Sequence, residues 1–389
     1  MLRREATAKA AQTEAQGYGE HRMSTGSGCG AGLTFSRRRA LQGIAGLALG
    51  GATGLSAGLA GRTYAAPDGF AAKAVYLNPT MDDGYDLDRL LDLIDRTELN
   101  AFVIDVKEEG VYVDTGVDLF QEAGTVVPYY DVAAVLDALH AHDVYAIARQ
   151  VVFKDTPLAE ARPDLAVADA MTGEPWRDMN GVAWVNPFSE EVWAANIDLA
   201  VELVGRGFDE IQFDYVRFPT DGDIEAMDFG REVTESVRVE TIAGFLVEAR
   251  ANLAAGGAKV GADVFGFTLL LDDIGIGQNV GRIAEVIDYV CPMVYPSHFP
   301  NGSIAVDGHP NDFPYETIEI SIGAGEERVA GLRGKLRPWL QDFSLPGMSD
   351  YGPAQVRAQI DAAEANGAAG WMIWNAASVY HEEAFVPAG

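Results

Sequence analysis

One stretch decides the fold of this chain: residues 208–219 read FDEIQFDYVRFP. Its first half has the composition of a buried β-strand, whereas its far end carries Asp214 and Arg217. Ionised side chains are costly to bury unless they are paired or serve a function. The polar end therefore predicts that this strand opens onto a functional surface.

The rest of the chain alternates similar strands with helices. Apolar, β-rich runs predict strands, and runs with a 3.6-residue period predict helices. The predicted strands are 73–79, 101–107, 144–153, 210–218, 259–266, 289–296, 335–343 and 370–376, and the predicted helices are 86–97, 131–142, 189–206, 232–255, 279–287, 315–332 and 353–366. The alternation, without a glycine-rich phosphate-binding turn, favours an α/β fold with a single (β/α)8 TIM barrel over residues 66–389 rather than a doubly wound open sheet.

Residues 1–65 are predicted to be a leader rather than part of the barrel. Arg37 and Arg38 precede an uncharged run at 43–61, and small residues near Ala65 offer a cleavage site. This order is typical of a twin-arginine export signal, and the glycine-rich run is a poor membrane span. We therefore expect a secreted or cell-surface protein that meets the membrane only during export.

The composition is strongly acidic, with 28 Lys and Arg against 58 Asp and Glu and a net charge of −30. Such a charge argues against nucleic acid and anionic membranes as partners. It favours a halophilic protein, with an ordinary acidic secreted protein as the alternative. His140 and His142 do not share a helix face, so we expect neither a metal nor a cofactor.

Three aspartates are expected to meet at the mouth of the barrel. Active sites of such barrels lie at the C-terminal strand ends. Strand alternation turns Asp105, Asp214 and Asp263 inward, together with Lys107. Two close carboxylates supply the acid and the nucleophile or base of glycosidic cleavage, because their charges push their pKa values apart.

These surroundings predict separate roles for the three acids. Arg217 is expected to keep Asp214 ionised as nucleophile or base, and an apolar setting is expected to keep Asp263 protonated as the general acid. Asp105 and Lys107 are expected to form a supporting ion pair, or Asp105 is the acid if the roles of the strands are reversed.

Aromatic, amide and cationic side chains near the same mouth suit a sugar, because rings stack on sugar faces and amides bind hydroxyl groups. The candidate substrate-binding residues are Lys107, Arg149, Trp184, Asn186, Arg217, Tyr295, His298, Gln341 and Trp374.

Several motifs carry a family resemblance: VIDVKEEG, YAIARQVVFKD, GVAWVNP, GFDEIQFDYVRFP, ADVFG, CPMVYPSHF, RPWLQDF and GWMIWNA. Over residues 72–380 the chain resembles the bacterial and archaeal family called the putative glycoside hydrolase domain. The resemblance implies a glycosidase-like (β/α)8 barrel in which Asp105, Asp214 and Asp263 match motif acids. Arg149, Tyr295, Gln341 and Trp374 match motif polar or aromatic positions. The turn EEGVYVDTGVD departs from the family pattern, so no role is carried over to Glu108 or Glu109.

The expected function is an exported glycoside hydrolase that cleaves O-glycosidic bonds of a poly- or oligosaccharide. The acidic composition favours neutral or cationic polysaccharides over polyanionic ones. The alternative from another class is a non-catalytic glycan-binding barrel at the cell surface.

Overall fold

A computed structural model describes residues 69–80 and 87–388 as a closed barrel of eight parallel strands. The strands are β1 (Ala72–Leu77), β2 (Ala101–Glu108), β3 (Tyr145–Val151), β4 (Glu210–Asp214), β5 (Lys259–Phe265), β6 (Tyr289–Met293), β7 (Trp339–Gln341) and β8 (Gly370–Trp374). Each strand pairs with the next, and β8 pairs with β1. The predicted (β/α)8 barrel is confirmed. The predicted leader lies outside the described residues.

Helices connect the strands in the predicted order. They are α1 (Leu87–Asp95), α2 (Asp118–Glu122), α3 (Val132–Ala141), α4 (Thr156–Ala161), α5 (Glu190–Arg206), α6 (Glu235–Leu253), α7 (Val280–Ala284), α8 (Pro314–Val329) and α9 (Pro353–Ala365). Local chemistry explains where α5 begins: the Ser189 side chain accepts a hydrogen bond from the Val192 amide, and two glutamates occupy the first turn. The short helices α2 and α4 were not predicted, because one or two turns show too little periodicity.

The two faces of the barrel strands belong to different cores. Outward side chains such as Phe102 and Ile104 pack in the large core between strands and helices. Inward side chains such as Ala74, Tyr76 and Val103 form a separate core inside the barrel. Alternation along each strand therefore decides which side chains can reach the barrel axis.

A buried ion pair fills the N-terminal half of the barrel interior. Arg337 Nη1 donates to Glu210 Oε2 at 3.0 Å, and the Tyr145 hydroxyl donates to the same oxygen at 3.2 Å. Gly261 makes room for this pair, since a Cβ there would lie 3.0 Å from Glu210 Oε1. Cys291 packs beside the pair, with its sulfur 4.0 Å from Arg337 Nη2.

Several strands are shorter than predicted, and for two of them the backbone gives the reason. The strand β4 ends at Asp214 instead of residue 218, because Tyr215 adopts a left-handed conformation with φ +48° that turns the chain. The predicted strand 335–343 is interrupted by Pro338, which has no amide hydrogen to donate. Its first part, Lys335–Leu336, pairs with β6, and β7 begins only at Trp339.

Short antiparallel pairs shape the loops above the barrel mouth. Gly110–Val111 folds back on the end of β2, and Ala168–Asp169 pairs with Met227–Asp228. The pairing of Ala168–Asp169 with Met227–Asp228 connects the loop that follows β3 to the loop that follows β4. Within residues 69–80 and 87–388, no helix combines the length and apolar character that a bilayer span requires.

Candidate active site

Arg149 lies at the centre of a cluster of three inward-facing aspartates. Its Nη1 lies 2.6 Å from Asp105 Oδ1, and its Nη2 lies 2.5 Å from Asp214 Oδ2. Its Nε donates to Asp214 Oδ2 at 2.9 Å and lies 3.9 Å from Asp263 Oδ2. The predicted convergence of the three carboxylates is therefore present in the structure, with a cation between them.

The strand register explains this convergence. Asp105 on β2 is the register partner of Arg149 on β3, so the two inward side chains are nearest neighbours. Arg149 is in turn paired with Gln212 on β4, two positions before Asp214 and on the same strand face. A long arginine side chain can thus reach up to the next layer of inward residues, where Asp214 lies.

Aromatic side chains donate hydrogen bonds to two of the three aspartates. The Tyr76 hydroxyl donates to Asp105 Oδ2, and Trp339 Nε1 donates to Asp263 Oδ1 at 2.7 Å. Trp374 stacks on Tyr76 at 4.2 Å between ring centroids, and the Arg149 guanidinium lies 5.3 Å from the Trp374 ring. These contacts restrict the rotamers of all three charged partners.

The cluster contains more carboxyl groups than cations, and this affects protonation. Burial raises the pKa of Asp105 and raises that of Asp263 well above its usual range, and the negative charge of Asp214 adds to both shifts. Arg149 opposes these shifts, but one guanidinium cannot balance three carboxylates. These effects together favour the protonated form of Asp263, while Asp214 makes two short contacts to Arg149.

One oxygen of the cluster has no hydrogen-bond partner among the described residues. Asp263 Oδ2 is buried and accepts no hydrogen bond, whereas Oδ1 is bound by Trp339. A buried oxygen of this kind is expected to carry a proton or to meet a ligand atom. Oδ2, which lies 3.9 Å from Arg149 Nε, is therefore the oxygen of Asp263 that can carry a proton or contact a ligand atom.

Arg217 does not pair with Asp214, so this prediction was wrong. Because Tyr215 turns the backbone, the Arg217 guanidinium lies 4.7 Å from the rings of both Trp184 and Phe265, and its Nη1 donates to the Phe218 carbonyl. The Asp214 partner is Arg149 instead. The Asp214 Oδ1 atom accepts a hydrogen bond from the Tyr215 amide at 2.6 Å.

Lys107 does not pair with Asp105, and this prediction was also wrong. A β-bulge interrupts the pairing of β2 with β3 between Asp105 and Lys107. Lys107 therefore points away from the barrel axis, where its ammonium lies 2.6 Å from Asp155 Oδ2 and donates to the Val151 carbonyl. The arginine that supports Asp105 is again Arg149.

Three other predicted substrate-binding residues have structural contacts instead. Trp184 is buried beneath Arg217, and the Asn186 side chain binds the backbone of Phe188 and Phe229. Gln341 is fully buried, and its carbonyl oxygen accepts from the Ser297 amide. These contacts fix the loops around the mouth.

Tyr295, His298 and Trp374 do lie near the mouth, as predicted. The Tyr295 ring lies 5.4 Å from the His298 ring and 5.6 Å from the Phe343 ring. Burial raises the pKa of Tyr295 well above its usual value, and the charges of Asp263 and Asp214 raise it further. His298 is exposed and borders a cavity of about 370 Å³ between the loops that follow β6 and β7.

The described part of the chain contains no group of three His, Cys, Asp or Glu side chains arranged to hold a metal ion. The acids of the cluster are instead bound by Arg149, Tyr76 and Trp339. The arrangement is suited to proton transfer and to stabilising a positive centre.

Sequence reasoning missed Tyr76, and it assigned no role to Glu108, the last residue of β2. Alternation along β1 would have placed Tyr76 inward with Ala74, beside Asp105 on β2. No comparable signal was available for Glu108, because its orientation depends on the bulge in β2.

Two solved structures of similar shape support the fold, and a third is similar in sequence over half of this chain. The PgaB (BpsB) glycoside hydrolase domain from Bordetella bronchiseptica is 14% identical, with a TM-score of 0.57 over 78% of this chain and 94% of its own. The Bacillus megaterium QM B1551 spore cortex-lytic enzyme SleL is 10% identical, with a TM-score of 0.50 over 80% and 72%. A hypothetical protein from Ruminiclostridium thermocellum ATCC 27405 is 35% identical over 49% of this chain and 97% of its own, with a TM-score of 0.43.

Among curated proteins, none matches this chain. A family model does match, and it covers residues 74–380, which include all eight barrel strands except the first two residues of β1. The match therefore spans both the fold and the carboxylate cluster at its centre. The chain belongs to the family described as "Putative glycosyl hydrolase domain".

Proposed function

We propose that this protein is a glycoside hydrolase that cleaves O-glycosidic bonds with carboxyl groups at the C-terminal face of its barrel. The observation that carries the proposal is the sharing of one guanidinium by Asp105, Asp214 and Asp263. Family membership supports the same activity.

Asp214 is proposed as the nucleophile or general base. It is bound twice by Arg149 and is the most exposed of the three aspartates, at 4% against 1% for the other two. A carboxylate beside a sugar ring can attack the anomeric carbon or activate a water molecule.

Asp263 is proposed as the general acid. Its raised pKa favours the protonated form, which the protonation of a leaving oxygen requires. Asp214 Oδ2 and Asp263 Oδ2 share the Arg149 Nε atom at 2.9 and 3.9 Å. The distance between the two Oδ2 atoms therefore cannot exceed the sum of these two distances. This upper limit is compatible with the carboxyl separation of about 5–5.5 Å in retaining enzymes, and it reaches only the lower end of the range of about 6.5–9.5 Å in inverting enzymes.

Asp105 is proposed to hold Arg149 in place, because it gives the guanidinium a second anionic contact.

The substrate is proposed to be a neutral or cationic polysaccharide outside the cytoplasm. The net charge of −30 repels polyanionic glycans unless salt screens it. The twin-arginine pattern of residues 36–66 supports export, and the acidic composition supports a high-salt habitat.

A panel of glycans tests this function, with release of reducing ends as the readout. We expect the wild-type chain from residue 66 onward to cleave at least one of them, and Asp214→Asn to lower kcat by about three orders of magnitude. The substitution is nearly isosteric, so circular dichroism and the melting temperature should match the wild type. An Asp214→Asn variant that binds a glycan as well as the wild type, when neither protein cleaves it, would support the glycan-binding barrel instead.

A further inference from the structure

The bulge in β2 changes which residues at the end of this strand face the barrel axis. Asp105 points inward, Val106 packs in the outer core, and Lys107 also points outward because the bulge adds a residue there. Alternation resumes after the bulge and returns Glu108 to the inner face, one layer above Asp105. Bulges that re-aim a side chain in this way are frequent next to active sites.

The backbone around Glu108 is held firmly. Glu108 is the register partner of Gly110 in a tight antiparallel turn, and Gly110 has φ +104°. A side chain at Gly110 would meet the Thr125 carbonyl oxygen at 2.7 Å, so only glycine fits. The Tyr112 hydroxyl accepts from the Glu109 amide at 3.1 Å and holds the turn.

Glu108 differs from the three aspartates in its accessibility. Its side chain is half-buried, whereas Asp105, Asp214 and Asp263 are at most 4% exposed. Among the carboxyl groups close to Arg149, it is therefore the one most open to a bound molecule.

The charge of Glu108 affects the pKa values of Tyr76 and Arg149. Burial raises the pKa of Tyr76, and the charges of Asp105 and Glu108 raise it further. Burial lowers the pKa of Arg149, but the charges of Asp105, Asp214 and Glu108 outweigh this effect. Glu108 is thus close to the residues proposed to cleave the substrate.

We propose that Glu108 binds the substrate directly, and that its carboxylate accepts hydrogen bonds from hydroxyl or amino groups of the sugar next to the cleaved bond. This inference rests on the proposed glycosidase activity and adds a specificity-determining residue to it. Charge-assisted hydrogen bonds of this kind are among the strongest that a side chain offers.

Three variants test the role of Glu108: Glu108→Gln, Glu108→Asp and, as the matched control, Glu109→Gln. Glu109 is the exposed neighbour in the same turn, so its substitution removes the same charge. Kinetics are measured on the glycan that the wild type cleaves fastest, alongside melting temperatures and the Asp214→Asn variant.

We expect Glu108→Gln to lower kcat/KM by about ten- to a hundredfold, as the loss of a charged hydrogen-bond partner predicts, with Glu109→Gln within about twofold of wild type. Glu108→Asp keeps the charge but is one methylene shorter, so direct contact predicts a loss of about fivefold or more. Melting temperatures of all three should stay close to that of the wild type.

The outcomes separate the two proposals. If Asp214→Asn is inactive but Glu108→Gln behaves like Glu109→Gln, the inference about Glu108 is wrong and the proposed function stands. If Glu108→Asp equals the wild type while Glu108→Gln is impaired, the role is electrostatic and direct contact is refuted. If the wild type cleaves no glycan, or Asp214→Asn keeps full activity, the proposed function fails and the inference fails with it.

Discussion

Arg149 Nη2 lies 2.5 Å from Asp214 Oδ2 deep in the barrel, and the same guanidinium also contacts Asp105. Both side chains of the Arg149–Asp214 pair are about 5% exposed. Pairs buried to this degree contribute little net stability compared with apolar replacements, but the loss of one partner leaves an uncompensated charge. The cluster is therefore sensitive to any change that removes its single cation.

Replacing Arg149 with methionine is expected to lower the free energy of unfolding at pH 7 by about 3–5 kcal/mol. The loss should be smaller near pH 5, because the raised pKa values of Asp105 and Asp263 let these groups become neutral without a cation. Urea denaturation at both pH values measures the change. Arg96→Met is the control, since Arg96 forms exposed ion pairs and its loss should cost much less stability than the loss of Arg149. Equal costs for the two variants would contradict the central role of Arg149.

The protonation of Asp263 predicts a pH dependence of stability. Its pKa is raised in the folded state, so between the ordinary aspartate pKa and the raised value the folded chain holds a proton that the unfolded chain has lost. Stability contributed by this group is present at low pH and is lost as pH rises through that window. Asp263→Asn removes the titration, so its unfolding free energy relative to wild type should increase with pH above about 4.

The same group predicts the alkaline limb of the activity profile. A general acid works only while protonated, so kcat should fall as pH rises through the raised pKa of Asp263. Activity measured from pH 4 to 9 on a cleaved glycan gives this limb. If the residual activity of Asp263→Asn still falls over the same pH range, the alkaline limb belongs to another group.

The charge of −30 predicts that salt stabilises the protein. Screening weakens self-repulsion of an acidic surface, so the melting temperature should be higher in molar NaCl than at low salt. Differential scanning calorimetry measures it, and KCl at the same ionic strength checks that the effect is not specific to sodium. A melting temperature that is unchanged or lower in molar salt would count against a halophilic protein.

The export proposal has its own test. Residues 23–70 fused to a reporter protein should carry it out of the cell, and the double variant Arg37→Lys with Arg38→Lys should block this transport. Arg62→Lys is the control, because Arg62 follows the uncharged run. Continued export of the double variant would refute a twin-arginine signal.

Periodic features of the sequence predicted most of the fold and part of the site. The eight strands were found because buried strands of a barrel have a strong composition signal, and alternation placed Asp105, Asp214 and Asp263 on the inner face. Arg149 was selected as a substrate-binding residue, whereas the structure makes it the partner of these acids.

The errors arose where the backbone departs from regular geometry. The bulge after Asp105 reversed the expected orientation of Lys107, and the left-handed Tyr215 moved Arg217 away from Asp214. Neither feature changes the local composition, so alternation gave the wrong face. Trp184 was misjudged because loop packing depends on contacts between segments far apart in sequence.

The Arg337–Glu210 pair blocks the barrel axis and so limits how a long polymer can bind. Together with Tyr145 and Cys291 it occupies the lower barrel interior, so the axis is filled with side chains and is not a tunnel. A glycan strand cannot be threaded through the molecule from one end to the other. Under the proposed function, the strand therefore has to lie across the open face, and the fragments on both sides of a cut have to leave sideways from that face.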